Sequence, residues 1–239
     1  MTIPRLFEKT DAAVGGRHTL NSENARIVKN VLRLQKGDRV ELIDGAGGVA
    51  IATLLEVGRT RSTAAILDRK EVAPAWPEII LIQGLPKGEK AGWIVQKGVE
   101  LGVRRICFFE SARTIGKRGP GQAARWTRIA IEAARQSGNA HLPEIVGPIP
   151  LPEALNGVSS VKLSVFLDEA EKSRRFRDLL GTEVPPSIGL AVGPEGGWSD
   201  ADRELLRGHG FASVTFGPLV MRTETAAVAA VAACRAWLP

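Results

Sequence analysis

The stretch "AVGPEGGWSD", residues 191–200, sets Gly193, Pro194, Gly196 and Gly197 around one carboxylate, Glu195. Ordered glycine costs conformational entropy and proline gives up its backbone donor, so the run points to an enforced backbone shape. Such a loop can bind a ligand through its main chain, but ordinary turns use the same residues, so the flanking elements must decide. Two further stretches place charge beside glycine and proline: "QGLPKGEKAGWIVQKGVELGV" from Gln83, with Lys87 and Lys90, and "FGPLVMRTETAA" from Phe216, with Arg222 and Glu224. Other chemistries lose support. "GAGGVA", 45–50, has dinucleotide spacing, yet strand-like residues follow it, which makes it a hairpin turn. His18, His141 and His209 are scattered, and H-E-x-x-H, G-x-S-x-G and Walker sequences are all missing, which disfavours hydrolases and metalloenzymes.

The elements around these stretches give them a common place. Apolar runs "EIILIQ", "VRRICFF", "VKLSVFL", "IGLAV" and "ASVTFG" alternate with helix-like segments, the pattern of a parallel α/β sheet. Helices are expected in "EKAGWIVQKGVEL" ending at Gly102, "GQAARWTRIAIEAARQ", "EKSRRFRDLL" ending at Gly181, "SDADRELLRG" and "TETAAVAAVAACRAWL". Ser199 with Asp202 makes a capping box for the fourth. The glycine loop therefore joins a buried strand to a helix N-terminus, where open α/β sheets bind ligands. The other two stretches also lie where a strand hands over to a helix, so all three can meet at one sheet edge.

Upstream the rhythm differs. Residues 39–67 contain short β-prone runs broken by "DGAGG" and "GRTRS", which read as hairpins of a small β domain. Before them "NSENARIVKNVLRL" has helical spacing, with Gly37 as its terminator. "EVAPAWPE", 71–78, breaks the pattern with two prolines, and the domain boundary is placed there, giving domains 1–72 and 73–239.

The chain has 239 residues, 44% of them apolar, enough for a real core. Its net charge of +6 is unevenly spread: from 104 to 135, eight cations face only Glu110 and Glu132, a nucleic-acid signal as readily as a solvated helix face. Cys107 and Cys234 show neither metal-ligand nor disulfide spacing, which fits a reducing cytosol, and no metal is expected. No signal-peptide core is present, and the longest apolar stretch, 226–234, is too short for a bilayer, so a soluble cytoplasmic protein without a membrane partner is expected.

The three stretches together resemble the bacterial 16S ribosomal RNA uracil-N3 methyltransferase family of the SPOUT superfamily. Lys87 and Lys90 with "QKGVELGV", then "GPEGGWS", then "GP" followed by "RTETA" stand in the family order. "PRLF" and "VLRLQKGDRVELIDGAGG" look like the family's N-terminal PUA-like RNA-binding barrel, so the likeness covers nearly the whole chain. It departs at "SART", where Ala112 replaces the family's acid, and at Asn139, where an arginine is common after "QSG".

The resemblance implies a knotted C-terminal domain, its parallel sheet threaded as a deep trefoil, an exception to the unknotted rule. It implies S-adenosylmethionine as methyl donor, a homodimer with sites near the interface, and 16S ribosomal RNA of the small subunit, at the decoding region, as substrate. Cofactor contacts would come from Leu190, Val192, Gly193, Pro194, Gly196 and Gly197, and from Phe216, Gly217, Pro218, Leu219, Met221 and Thr223. Arg222 would act as a cation beside the uracil oxygens or the cofactor carboxylate, and Glu195 or Glu224 as base or orienting group. An Arg222–Glu224 salt bridge across the subunit interface and a Glu195 that merely caps a neighbouring helix are the structural alternatives. RNA contacts would come from Arg5, Arg33, Lys87, Lys90, Arg113, Lys117 and Arg118. A knotted methyltransferase acting on a ribose 2′-hydroxyl or on transfer RNA, and a non-catalytic RNA-binding assembly factor, remain the competing readings.

Overall fold

The computed structural model describes residues 3–116, 119, 121–158, 160–179 and 183–236. The chain forms two compact units, one comprising residues up to Pro74 together with Ile131–Leu142, the other Ala75–Ala130 and the chain from Pro143.

In the first unit β1 (Arg5–Phe7), β2 (Arg17–Thr19), β3 (Arg39–Ile43), β4 (Gly48–Val57) and β5 (Ser62–Glu71) form one sheet, ordered β1-β3-β4-β5-β2. Only β1 and β3 pair in parallel. Leu6, Val40, Leu42, Ala52, Leu54 and Ile66 alternate with less buried positions along these strands and fill the core. "DGAGG" and "GRTRS" form the β3–β4 and β4–β5 turns, as the residues indicate.

The helix expected from residue 21 departs from a regular α-helix. It consists of α1 (Ser22–Arg26), started by the Asn21 side chain accepting from Asn24 N, and a π-helical turn over Ile27–Val31. It ends at Arg33, whose φ of 55° stops the helix ahead of Gly37. Gly37 instead serves the turn before β3, donating to Leu54 O. Asn139 belongs to this unit: its side chain accepts from His141 N, and His141 bonds Val72 O at 2.7 Å.

The second unit is built on six parallel strands: β6 (Glu78–Gly84), β7 (Arg105–Glu110), β8 (Glu144–Pro150), β9 (Leu163–Leu167), β10 (Ser187–Val192) and β11 (Ala212–Val214), in the order β11-β9-β10-β6-β7-β8. Strand β8 carries two prolines and a glycine, which hid it from sequence reasoning, and its place at the sheet edge tolerates them. Four helices lie where the sequence places them: α2 (Lys90–Glu100), α3 (Gln122–Ser137), α5 (Asp200–Gly208) and α6 (Thr223–Ala236), while the short α4 (Leu151–Asn156) was not foreseen. The capping box of Ser199 and Asp202 is formed. The small residues Ala226, Ala227 and Ala230 let α6 lie close to its neighbours, and Arg235 donates to Leu101 O, Gly102 O and Pro77 O at 2.7 Å each.

"EKSRRFRDLL" is not a helix; among its described residues only Phe176–Leu179 makes a 3₁₀ turn. The reason is local. The Glu171 carboxylate accepts from the backbone N–H groups of Lys172, Ser173 and Arg174 and from the hydroxyls of Ser173 and Ser213, drawing the chain into a tight loop.

Candidate active site

A cleft of about 520 Å³ opens at the C-terminal ends of β9, β10 and β11. It is lined by 167–169 and Lys172 after β9, 192–197 after β10, 214–223 and Ala226 leading into α6, and Lys90 on α2. Val192, Gly193, Pro194, Gly196, Gly197, Phe216, Gly217, Pro218, Leu219, Met221 and Thr223 therefore share one cavity, whereas Leu190 is buried within β10 outside the lining.

Close packing explains the glycines. A Cβ on Gly196 would sit 2.6 Å from the backbone oxygen of Arg113, and Gly197 has a φ of 70° with the Glu169 carboxylate against it. The positive φ thus falls on Gly197, while Gly196 is dictated by the neighbouring main chain. Trp198 anchors the loop: wholly buried, it donates from Nε1 to Leu167 O at 2.7 Å and stacks on Phe109 with ring centres 5.5 Å apart. Arg203 on α5 clamps the same region, donating to both oxygens of buried Asp168, to Glu169 and to Trp198 O.

A polar chain runs behind the cleft. Gln83, fully buried at the end of β6, donates from Nε2 to Thr223 Oγ1 at 2.8 Å, and Thr223 Oγ1 donates to Gly193 O at 2.6 Å. Gln83, Trp198, Asp168 and Arg203 were missed by sequence reasoning. The available signal was a glutamine inside the continuous apolar run "EIILIQ", since a polar group in a buried strand must be bonded.

The charged side chains separate into two groups. Lys90 Nζ lies 3.0 Å from Glu195 Oε1 and 3.4 Å from Glu224 Oε2, and Lys87 N donates to Glu195 Oε1 at 3.0 Å. Burial would raise the Glu195 carboxyl, but the bonds from Lys87 and Lys90 outweigh it and hold the group below its ordinary range. The hydrogen bond to Glu195, against the cost of burial, pushes the Lys90 ammonium up, with Glu224 adding to it. Within the chain Glu224 is thus paired with Lys90 and not with Arg222. Arg222 is exposed on the cleft wall, and among the described residues its guanidinium has no hydrogen-bond or ion-pair partner. It stands directly before α6, its carbonyl accepting from Ala226 N at 2.9 Å.

Of the residues expected to meet RNA, Arg113 flanks the glycine loop, with Nη1 3.4 Å from Gly196 O, and Lys87 is exposed. Lys90 is turned instead into the carboxylate pair. In the first unit, Arg5 is paired with Glu41 at 2.6 Å and Arg33 is exposed. Lys117 and Arg118 lie outside the described residues. Among the described residues, no group of three or more His, Cys, Asp or Glu side chains is disposed to hold a metal, and no helix is long and apolar enough to cross a membrane.

Comparison with known proteins gives this geometry a family. Residues 74–235 match the model of an RNA methyltransferase domain, and residues 20–67 that of an RNA methyltransferase PUA domain. A ribosomal RNA small subunit methyltransferase E of Synechocystis is 31% identical over 240 residues, covering 98% of this chain and 78% of that protein. The Bacillus subtilis protein of the same name is 28% identical, covering 90% and 88%. The crystal structure of a ribosomal RNA small subunit methyltransferase E from Neisseria gonorrhoeae, bound to S-adenosyl methionine, superposes with a TM-score of 0.90 at 32% identity, covering 98% of both chains. With a glycine-built cleft at its strand ends and a match to an RNA methyltransferase PUA domain in its N-terminal part, the chain belongs to the RNA methyltransferase family.

Proposed function

We propose that the protein methylates N3 of a uridine in 16S ribosomal RNA of the small subunit, at the decoding region, with S-adenosylmethionine as donor. The observation that carries this reading is Arg222: a guanidinium without a carboxylate, on the cleft wall, at the positive end of a helix. A cation there is locally unfavourable, because the α6 N-terminus already presents positive charge. A fold keeps such an arrangement where an anion must be held.

The cleft fits the donor. Its loops offer main-chain groups beside apolar Val192, Leu219 and Met221, and Glu169 keeps one carboxylate oxygen outside its bond to Arg203, suited to a cationic nucleoside bearing hydroxyls. Val192, Gly193, Pro194, Gly196, Gly197, Phe216, Gly217, Pro218, Leu219 and Met221 would hold it. Thr223 contributes indirectly, since its hydroxyl proton is committed to Gly193 O. When bound, S-adenosylmethionine supplies a methyl group on a positively charged sulfur.

The chain's own task is to present N3 of the uracil without its proton. That anion spreads its charge onto the two carbonyl oxygens, and a planar guanidinium matches it through charge-assisted hydrogen bonds. Arg222 is the group for this. Glu195 is a weak base, held below the ordinary carboxylate range by Lys87 and Lys90, so its part is to fix the glycine loop against the start of α2. The proton then leaves to solvent, and positioning with electrostatic stabilisation supplies the rate.

The same reading carries a trefoil-knotted chain, a cytoplasmic location, domains divided near residue 72, and a homodimer. Leu219 and Val220, 83% and 79% exposed beside Arg222, give the cleft lip an apolar surface suited to a second copy. The test is methyl transfer from labelled S-adenosylmethionine to 16S ribosomal RNA in small subunits, followed by nucleoside analysis. Label in N3-methyluridine supports the proposal; label in a 2′-O-methyl nucleoside, or none, overturns it.

A further inference from the structure

We infer that the exposed basic segment 172–177 is a rigid docking surface for the RNA strand flanking the substrate nucleotide, a role that rests on the reading just proposed. "KSRRFR" carries Lys172, Arg174, Arg175 and Arg177, all exposed. A run of cations is ordinarily a solvated face, but three features set this one apart.

First, it is built. The Glu171 carboxylate gathers the backbone N–H groups of Lys172, Ser173 and Arg174 and the hydroxyls of Ser173 and Ser213. Downstream, Thr215 N donates to Arg174 O and Phe176 N to Thr215 O, both at 2.9 Å, so the segment runs as a short bridge beside Thr215. Second, its four cations outnumber the carboxylates set among them. Glu171 is ionised but spends its acceptors on its own loop, Asp178 accepts from Arg175 N at 2.8 Å and lies 3.7 Å from Arg177, and Lys172 Nζ donates to Glu169 O at 2.6 Å. Glu169 turns its side chain to Arg203. The side chains of Arg174 and Arg175 have no partner among the described residues. Third, it adjoins the cleft. Lys172 lines the cavity, and Phe176 stacks on Phe216, a wall residue, with ring centres 4.8 Å apart. Fixed cations at the mouth of a site for one nucleotide suit the phosphates on either side of it.

The test replaces Arg174, Arg175 and Arg177 together by serine in the full chain and measures binding to in vitro transcribed 16S ribosomal RNA over a series of potassium chloride concentrations. Each single-strand phosphate contact contributes roughly 0.7 to the log-log slope, so the slope should fall by about 2 and KM for RNA should rise more than kcat changes. Affinity for S-adenosylmethionine should hold, and the matching triple lysine variant should restore the slope. Arg174→Glu alone, at an exposed and unpaired side chain, should lower it as well. An unchanged slope in both the serine and glutamate variants overturns the inference. So does an unchanged slope with an altered sedimentation coefficient, which would assign the surface to self-association. Wild-type protein that transfers no methyl to 16S ribosomal RNA in small subunits, yet loses slope on substitution, would sink the proposed substrate and leave the surface standing.

Discussion

The side-chain amide of Gln83 donates to Thr223 Oγ1 at 2.8 Å, joining residues 140 positions apart in the chain. Because that amide proton occupies the hydroxyl oxygen, the Thr223 proton is directed to Gly193 O, and the end of β6, the start of α6 and the glycine loop are tied together. Thr223→Val keeps the shape and removes the hydroxyl, leaving the Gly193 carbonyl and one N–H of the buried Gln83 amide unbonded, while the amide keeps its bond to Gly84 O at 2.9 Å. It should cost about 1–3 kcal/mol in unfolding measurements and weaken S-adenosylmethionine binding, whereas Thr223→Ser should keep most of both. Wild-type stability and affinity in the valine variant would show that the chain of bonds does not hold the loop.

Gly196→Val should abolish S-adenosylmethionine binding in a protein that remains folded. Its Cβ would meet the Arg113 carbonyl at 2.6 Å, and main chain cannot step aside as a flexible side chain does. Calorimetry on the folded variant is the check, and unchanged affinity would remove the glycine loop from the cofactor site.

Arg222→Lys should lower the single-turnover methylation rate and Arg222→Ala should lower it further, since lysine keeps the charge but loses the planar fork. Raising the pH should partly rescue both by supplying more deprotonated uracil. The Glu195→Gln profile should rise with pH in parallel with the wild type. A wild-type chemical rate in Arg222→Ala, with only weaker cofactor affinity, would make Arg222 structural.

Acid should act on the 171–178 loop through Glu171. The backbone and hydroxyl of Ser173, with Arg174 N and Ser213 behind them, hold its carboxyl down to about 2 from an ordinary value near 4.5. A depressed folded value stabilises the fold above the unfolded value and loses that stabilisation as pH falls through the folded one. The stability difference between wild type and Glu171→Gln should therefore be constant near neutrality and shrink from about pH 5 to pH 2. A difference independent of pH would show that the carboxylate is not gathering those donors.

Much of this was legible in the residues. Alternating apolar runs and glycine breaks gave the parallel sheet, the β3–β4 turn and the capping box of α5, because each rests on local propensity. The polar chain from Gln83 to Gly193 was not, since it is made by three segments far apart in sequence. "EKSRRFRDLL" has helical composition, yet one glutamate placed to collect successive N–H groups won over propensity. Lys90 shows the same limit at the site: the sequence marks it as a cation available to RNA, and only the fold brings Glu195 and Glu224 to it.

The central claim, that this cleft serves N3 methylation of one uridine in 16S ribosomal RNA, is tested most directly by mass-spectrometric mapping of that RNA from cells lacking the protein. Loss of a single N3-methyluridine, restored by the wild-type gene and not by one encoding Gly196→Val, is the predicted result. An N3-methyluridine retained in full, or loss of a modification at a ribose hydroxyl or in transfer RNA instead, would contradict the account.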